Sequence, residues 1–242
     1  MTTVQIFLAF VGLIAVSVVA IAWRYLPGRI ATVITLGLPL WLLYVGGLSW
    51  LGVFEPVAGR PPGILLLFVP IILFVALGVV RSRVGLVAAT AVPLALLHGL
   101  QIFRAGVELL LHQLHEIGLA PRMLTFEGAN IDLYIALSAP LAALIARNGR
   151  LGLRLAFVWN IIGILALANV IVRSVLTAPG PLNVLITEVP NTFVSTFPYS
   201  LLPGLFPPLA LTLHILSIRA IRSRLRSEAL TSDRATTSLP GG

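Results

Sequence analysis

Apolar residues run through this chain in seven long blocks separated by short polar or proline-rich breaks. The blocks are Val4–Trp23, Ile30–Leu51, Ile64–Val80, Thr90–Leu114, Asn130–Ala146, Arg154–Leu176 and Tyr199–Ile218. A helix that crosses the hydrocarbon of a bilayer needs about 20 mainly apolar residues. The pattern therefore predicts an all-α fold, a polytopic helical membrane protein with seven transmembrane helices. The third block is short and the fourth is long. The stretch Val84–Ala91, ahead of Pro93, is either a separate interfacial helix or the start of the fourth span with a proline kink.

The breaks carry an ordered charge pattern. Arg24 and Arg29 lie in the first, Arg81 and Arg83 in the third, Arg147, Arg150 and Arg154 in the fifth, and Arg219, Arg222, Arg224 and Arg226 after the last block. The even breaks hold only Arg60 and Arg122. Arginine-rich loops stay on the cytoplasmic side, so this alternation predicts an N-terminus outside and a C-terminus inside. Glu55, Glu116, Glu127 and Glu188 all fall on the outer side. Ala20-Ile21-Ala22 resembles a signal-peptide cleavage site, but no basic residue precedes it in Met1–Phe7, so the first block is expected to remain as a helix. The organisation expected is a seven-helix transmembrane domain over 1–226 and a disordered polar tail over 227–242. Pro56–Pro62 is expected to form a rigid outer turn, and Thr177–Pro198 a longer outer segment.

Composition agrees with a lipid solvent. Hydrophobic residues make up 58% of the 242 residues and charged residues 10%, too apolar for a single soluble core. The net charge of +8 would fit a nucleic-acid binder if it formed one patch. Spread between apolar blocks it reads as topology, so the lipid bilayer is the expected partner and nucleic acid is not. There is no cysteine, which excludes disulfides, iron–sulfur clusters and thiolate chemistry. There is no lysine either, which excludes a retinal or pyridoxal Schiff base.

The fourth block breaks the apolar rule. His98, Gln101, Arg104, Glu108, His112 and His115 recur at intervals of three and four, which puts them on one face of a helix over about 26 Å. Ionisable groups near a bilayer centre face the protein interior or water. Arg104 and Glu108 are spaced for a salt bridge within the helix. That pair is either a structural pin between helices or the centre of a proton, ion or polar-ligand path. Glu108, His112 and His115 are also a candidate metal set for zinc or iron, completed by Glu127 or Asp132. The alternative is a solvated helix end. His98 and His214, on different spans, have the chemistry of haem ligands, although buried histidines more commonly bond a carbonyl or water.

Beyond the fourth block, Thr125-Phe126-Glu127-Gly128-Ala129-Asn130-Ile131-Asp132 leads into the fifth. Asn130 fits a helix N-cap, and Asp132 fits the positive end of the helix dipole. With the two outer histidines they predict a concave outer pocket lined by His112, His115 and Glu127, with Glu108 at its base. Asn169 and Arg173 share a face of the sixth block, and Arg173 either snorkels outward or approaches Glu108, Glu127 or Asp132.

Gln101-x-Phe103-Arg104, Val107-Glu108, Thr125-Phe126-Glu127-Gly128-x-Asn130-x-Asp132 and Ala139-Pro140 resemble an uncharacterised family of bacterial multi-pass proteins of about seven spans, with weaker echoes at Trp159-Asn160 and Ala178-Pro179. The resemblance implies that the stripe and the outer segment belong together and that the location is a bacterial inner (cytoplasmic) membrane. It supplies no activity. Three functions stay open: transport or conduction of a proton or small polar solute, an accessory subunit that binds a membrane-protein partner or a second copy, and a membrane-embedded metal-dependent hydrolase. A route lined by water favours the first, a stripe facing lipid the second, and three converging ligands the third.

Overall fold

The computed structural model describes residues 2–57, 63–180 and 182–237, with side chains described to residue 230. Arg60, most of the expected 56–62 turn and the last five residues lie outside the described residues. Among the described residues there is no strand. Helices α1 (Thr3–Tyr25) and α2 (Gly28–Trp50) form an antiparallel pair. Thr2 and Gln5 close a capping box at the start of α1, and Leu26-Pro27 breaks the chain between the two helices.

Helix α3 (Leu65–Leu73) widens into a π-helical stretch, Phe74–Arg81. Ser82 then turns extended and caps α4 (Arg83–Ala91) through its Oγ on the Gly85 N–H at 2.9 Å. The bend between the two pieces is 68°. Val92 is extended ahead of Pro93, the conformation favoured for a residue before proline. The 84–91 stretch is thus a helix of its own, and the fourth apolar block starts after it. That block is α5 (Leu94–Gly99), a 3-10 turn (Leu100–Ile102) and α6 (Phe103–Glu116) in succession. Helices α7 (Asp132–Ile145), α8 (Gly149–Thr177) and α9 (Leu201–Thr237) complete the chain. Helical backbone in α9 continues past Arg226, into the stretch read from sequence as a tail.

Among the described residues five helices are long and apolar enough to cross a membrane, or six if the bent α3–α4 pair is one span. Helix α7 has 14 residues, about 21 Å of rise, and falls short of that length. Apolar side chains cover the outside, and a group of polar side chains is enclosed within a largely apolar core. Leu36 and Leu43 on α2 are 68% and 72% exposed, and α7 turns Tyr134, Leu137, Leu141 and Leu144 outward. His98, Gln101, Arg104, Glu108, Asn160 and His214 are buried instead.

Two ends of the bundle are defined by contacts. Phe7 packs on Tyr199, and Gln113 Nε2 donates to Thr3 Oγ1 at 3.2 Å, so the start of α1, the end of α6 and the start of α9 share one end. At the other, Arg219 donates to the carbonyls of Val79 and Ser82, and Arg150 pairs with Glu228 at 3.9 Å. Pro207 and Pro208 interrupt the α9 ladder. A proline frees the carbonyl four residues back, and Trp41 Nε1 takes the one at Gly204 at 2.9 Å.

Candidate functional site

One hydrogen-bonded chain of side chains joins five helices. Arg104 on α6 donates Nε to Asp132 Oδ2 at 3.1 Å and Nη2 to Oδ1. Its Nη1 lies 2.9 Å from His214 Nε2 on α9. His214 Nδ1 lies 2.9 Å from Asn160 Oδ1 on α8, and Asn160 Nδ2 lies 2.8 Å from His98 Nε2 on α5. His98 Nδ1 ends the chain on the Leu94 carbonyl at 2.8 Å.

The donors fix the direction of every link. Guanidinium has no acceptor, so His214 Nε2 must accept and its proton sits on Nδ1. Asn160 Oδ1 receives that proton, and its amide NH2 then donates to His98 Nε2 and to the Ala156 carbonyl at 2.8 Å. The proton of His98 is left on Nδ1, facing Leu94. Both imidazoles are neutral in this arrangement, and the charge of Arg104 is balanced by Asp132. A buried polar group without a partner is unfavourable by about 1–3 kcal/mol, and every link here has one. Trp159 lies 5.4 Å from the His98 ring and 5.5 Å from the His214 ring, centroid to centroid, with its Nε1 anchored on Ser138 Oγ at 2.9 Å. A Cβ at Gly163 would run into the His214 ring, so the absent side chain makes room for it.

Glu108 is one turn beyond Arg104 on α6, and the two do not form the intrahelical pair that their spacing suggests. Arg104 is committed across the helix interface. Glu108 Oε1 accepts from Asn130 Nδ2, which also donates to the Leu124 carbonyl at 3.0 Å. Asn130 Oδ1 accepts the Asp132 N–H at 3.0 Å; the N-cap position of α7 is Ile131, one residue later than the expected Asn130. Gly128 permits this path, because a Cβ there would collide with the Arg122 carbonyl. Glu108 Oε2 is buried with no protein partner. Glu108 lines a cavity of about 60 Å³. Arg104, Asn130 and Asp132 share that wall, while Phe103, Leu111, Leu167, Val170, Ile171 and Phe206 are among the apolar residues that form the rest.

A family model described as a domain of unknown function (DUF8737) matches residues 61–222. The chain belongs to the DUF8737 family. No curated protein and no solved structure matches it. The DUF8737 match takes in the whole network, from Leu94 to His214, together with Glu108 and the cavity. It leaves out α1 and α2.

The structure divides the residues expected at the outer side. Asn130 and Asp132 are core residues, bonded to Glu108 and Arg104 respectively. Glu127 remains near the surface, with His112 Nδ1 at 3.8 Å and Arg122 Nε at 4.0 Å. His112 packs against the Phe126 ring at 5.0 Å. His115 Nδ1 meets the Ala120 carbonyl at 3.1 Å. The expected pocket with His112, His115 and Glu127 around Glu108 is therefore corrected: the cavity at Glu108 opens among apolar residues of α6, α8 and α9. Arg173 bonds Asn169 Oδ1 at 2.9 Å rather than any of the three acids proposed for it.

The zinc or iron set of Glu108, His112 and His115 is also corrected. Among the described residues no three His, Asp or Glu side chains come close enough to hold a metal ion. The physical reason is that Glu108 turns inward to Asn130 while His115 turns to a backbone carbonyl. His98 and His214 have both ring nitrogens engaged, which leaves none for a haem iron. The sequence reading missed that Asn160 joins these two histidines and that Asp132 is the counter-ion of Arg104. Each was visible as a polar residue in or beside an apolar block, but its partner was not.

Proposed function

We propose that the chain is an integral membrane protein of seven spans, N-terminus outside and C-terminus in the cytoplasm, seated in a bacterial inner membrane. We further propose that it transports or conducts a proton or a small polar solute through the core around Glu108. The apolar exterior and the enclosed charges support the membrane reading, since exposed leucine suits lipid and buried charge does not survive facing it. The short α7 is compatible with a span, because irregular backbone at membrane depth is tolerated where protein satisfies it. Thr125 and Asn130, just ahead of α7, are buried and bonded. The arginines of the 147–150 turn and of the far half of α9 gather at one end, as a cytoplasmic face would require.

The observation that carries the functional reading is Glu108 itself: a buried carboxyl group in the wall of a cavity, with one oxygen held by Asn130 and the other without a protein partner. Such a group can load and release a proton or a polar ligand without disturbing the saturated network beneath it. Purified protein in liposomes with an entrapped pH-sensitive dye tests this. A membrane potential should drive acid uptake or solute uptake in the wild type, and Glu108→Gln should abolish it. Equal uptake by both proteins, or none above empty liposomes for protons and a panel of small solutes, would overturn the reading.

A further inference from the structure

We propose that the cavity beside Glu108 binds a small organic cation, an ammonium or guanidinium ion with a compact apolar body, in exchange for the proton on Glu108. The inference rests on Glu108 as the loading group and names the solute it would take.

The argument begins with charge. On α6, Arg104 is the cation of the cluster, and both oxygens of Asp132 from α7 are already bonded to it. From α9, His214 is committed at both nitrogens, to Arg104 and to Asn160. Helix α8 brings only Leu167, Val170 and Ile171 to the cavity. His112 is one turn further out and faces Glu127 and Phe126. No group around the cavity is therefore free to neutralise Glu108. A lone charge in an apolar interior is strongly unfavourable, so the carboxyl holds either a proton or a cation, and one excludes the other.

The walls then select the cation. Hard metal ions take about six or more oxygen ligands, and among the described residues Glu108 is the one cavity-lining acid with an unpartnered oxygen. Ten of the fourteen residues lining the cavity are apolar. The aromatic side chains of Phe103 and Phe206 are among them, and aromatic faces attract organic cations. A volume of about 60 Å³ exceeds the space one water needs and limits the ligand to a few heavy atoms. The exchange balances as protonated Glu108 plus free cation giving carboxylate–cation pair plus one released proton.

The test uses the full chain in detergent, in weak buffer with a pH indicator, titrated from acid to alkaline starting pH. Guanidinium and tetramethylammonium chlorides are the probes, with sodium and potassium chlorides at equal ionic strength as controls. The expected result is saturable release of roughly one proton per chain on adding an organic cation, none with the alkali salts, and none from Glu108→Gln. Val170→Phe keeps Glu108 but fills the cavity, and should shift the titration by about tenfold or more. Size-exclusion profiles matching the wild type qualify both variants. If Glu108→Gln does not fold, the Val170→Phe shift and the alkali controls decide. Equal release by sodium or potassium overturns the organic-cation assignment, as does a wild type that releases nothing. Acid uptake by proteoliposomes without any organic cation, combined with no release in this assay, would sink the inference and leave the proton-conducting reading standing.

Discussion

Arg104 on α6 closes two of its N–H groups on the carboxylate of Asp132, the first residue of α7, across 28 positions of sequence. Removing one partner of a buried pair strands the other and typically destabilises by about 3–5 kcal/mol, whereas replacing both with apolar residues is often tolerated. Asp132→Ala should therefore lower unfolding stability in detergent by about that amount. Arg104→Met combined with Asp132→Leu should be milder than either single change. An Asp132→Ala protein as stable as the wild type would mean that the pair is solvated.

Gly163 gives a packing prediction with a built-in control. Alanine there meets the His214 ring, and forced overpacking is unfavourable by roughly 1–3 kcal/mol. Gly47, exposed on α2, has nothing within 4 Å of the place a Cβ would occupy, so Gly47→Ala should be neutral or gain up to about 1 kcal/mol from helix propensity. Unfolding midpoints of the two variants measured side by side check this. Equal midpoints would show that His214 does not sit against α8.

The hydrogen-bond chain fixes two tautomers. Both His98 and His214 should carry the proton on Nδ1 and stay neutral, a state that nitrogen-15 NMR of labelled imidazoles reads directly. Asn160→Leu strips each ring of a partner. It should change the ring signals of both histidines and destabilise by about 1–3 kcal/mol for each orphaned group. A wild-type spectrum with Nε2 protonated would reverse the chain and defeat the assignment.

The loops that carry Arg122 and Glu188 are tied by Glu188, whose carboxylate accepts the backbone N–H of Arg122. That bond is the main reason its pKa lies below the ordinary 4.5. A lowered pKa means that the tie is present above the ordinary value and is lost as pH falls through the lowered one. Hydrogen exchange at the Arg122 amide should accelerate on acidification through that window. Glu188→Gln should remove most of this pH dependence. A flat exchange profile in the wild type would show that the loops are held by other contacts.

Topology is testable because the chain has no cysteine. A single Arg150→Cys disturbs only an exposed pair with Glu228 at 3.9 Å, of a kind that contributes about 1 kcal/mol or less. It should resist an impermeant thiol reagent added to intact cells and react after lysis. Labelling from outside would invert the proposed orientation.

The sequence by itself determined which stretches are helical, because a chain this apolar has few other ways to satisfy its backbone. Each of the seven apolar blocks appears as helix. It also determined that His98, Gln101, Arg104 and Glu108 lie on one inward face, since spacings of three and four allow nothing else on a helix. Only the tertiary structure decided the partners. Arg104 had a local candidate in Glu108, yet it bonds Asp132, because that acid is the first residue of α7 and approaches α6 from the side. Asn160 joins two histidines that sequence could place only on separate helices. The metal reading failed for the same reason: Glu108, His112 and His115 share a helical face, but each side chain turns to a different neighbour. Periodicity fixes direction around one helix axis, whereas pairing depends on how several axes are set against one another, and that information resides in long-range packing.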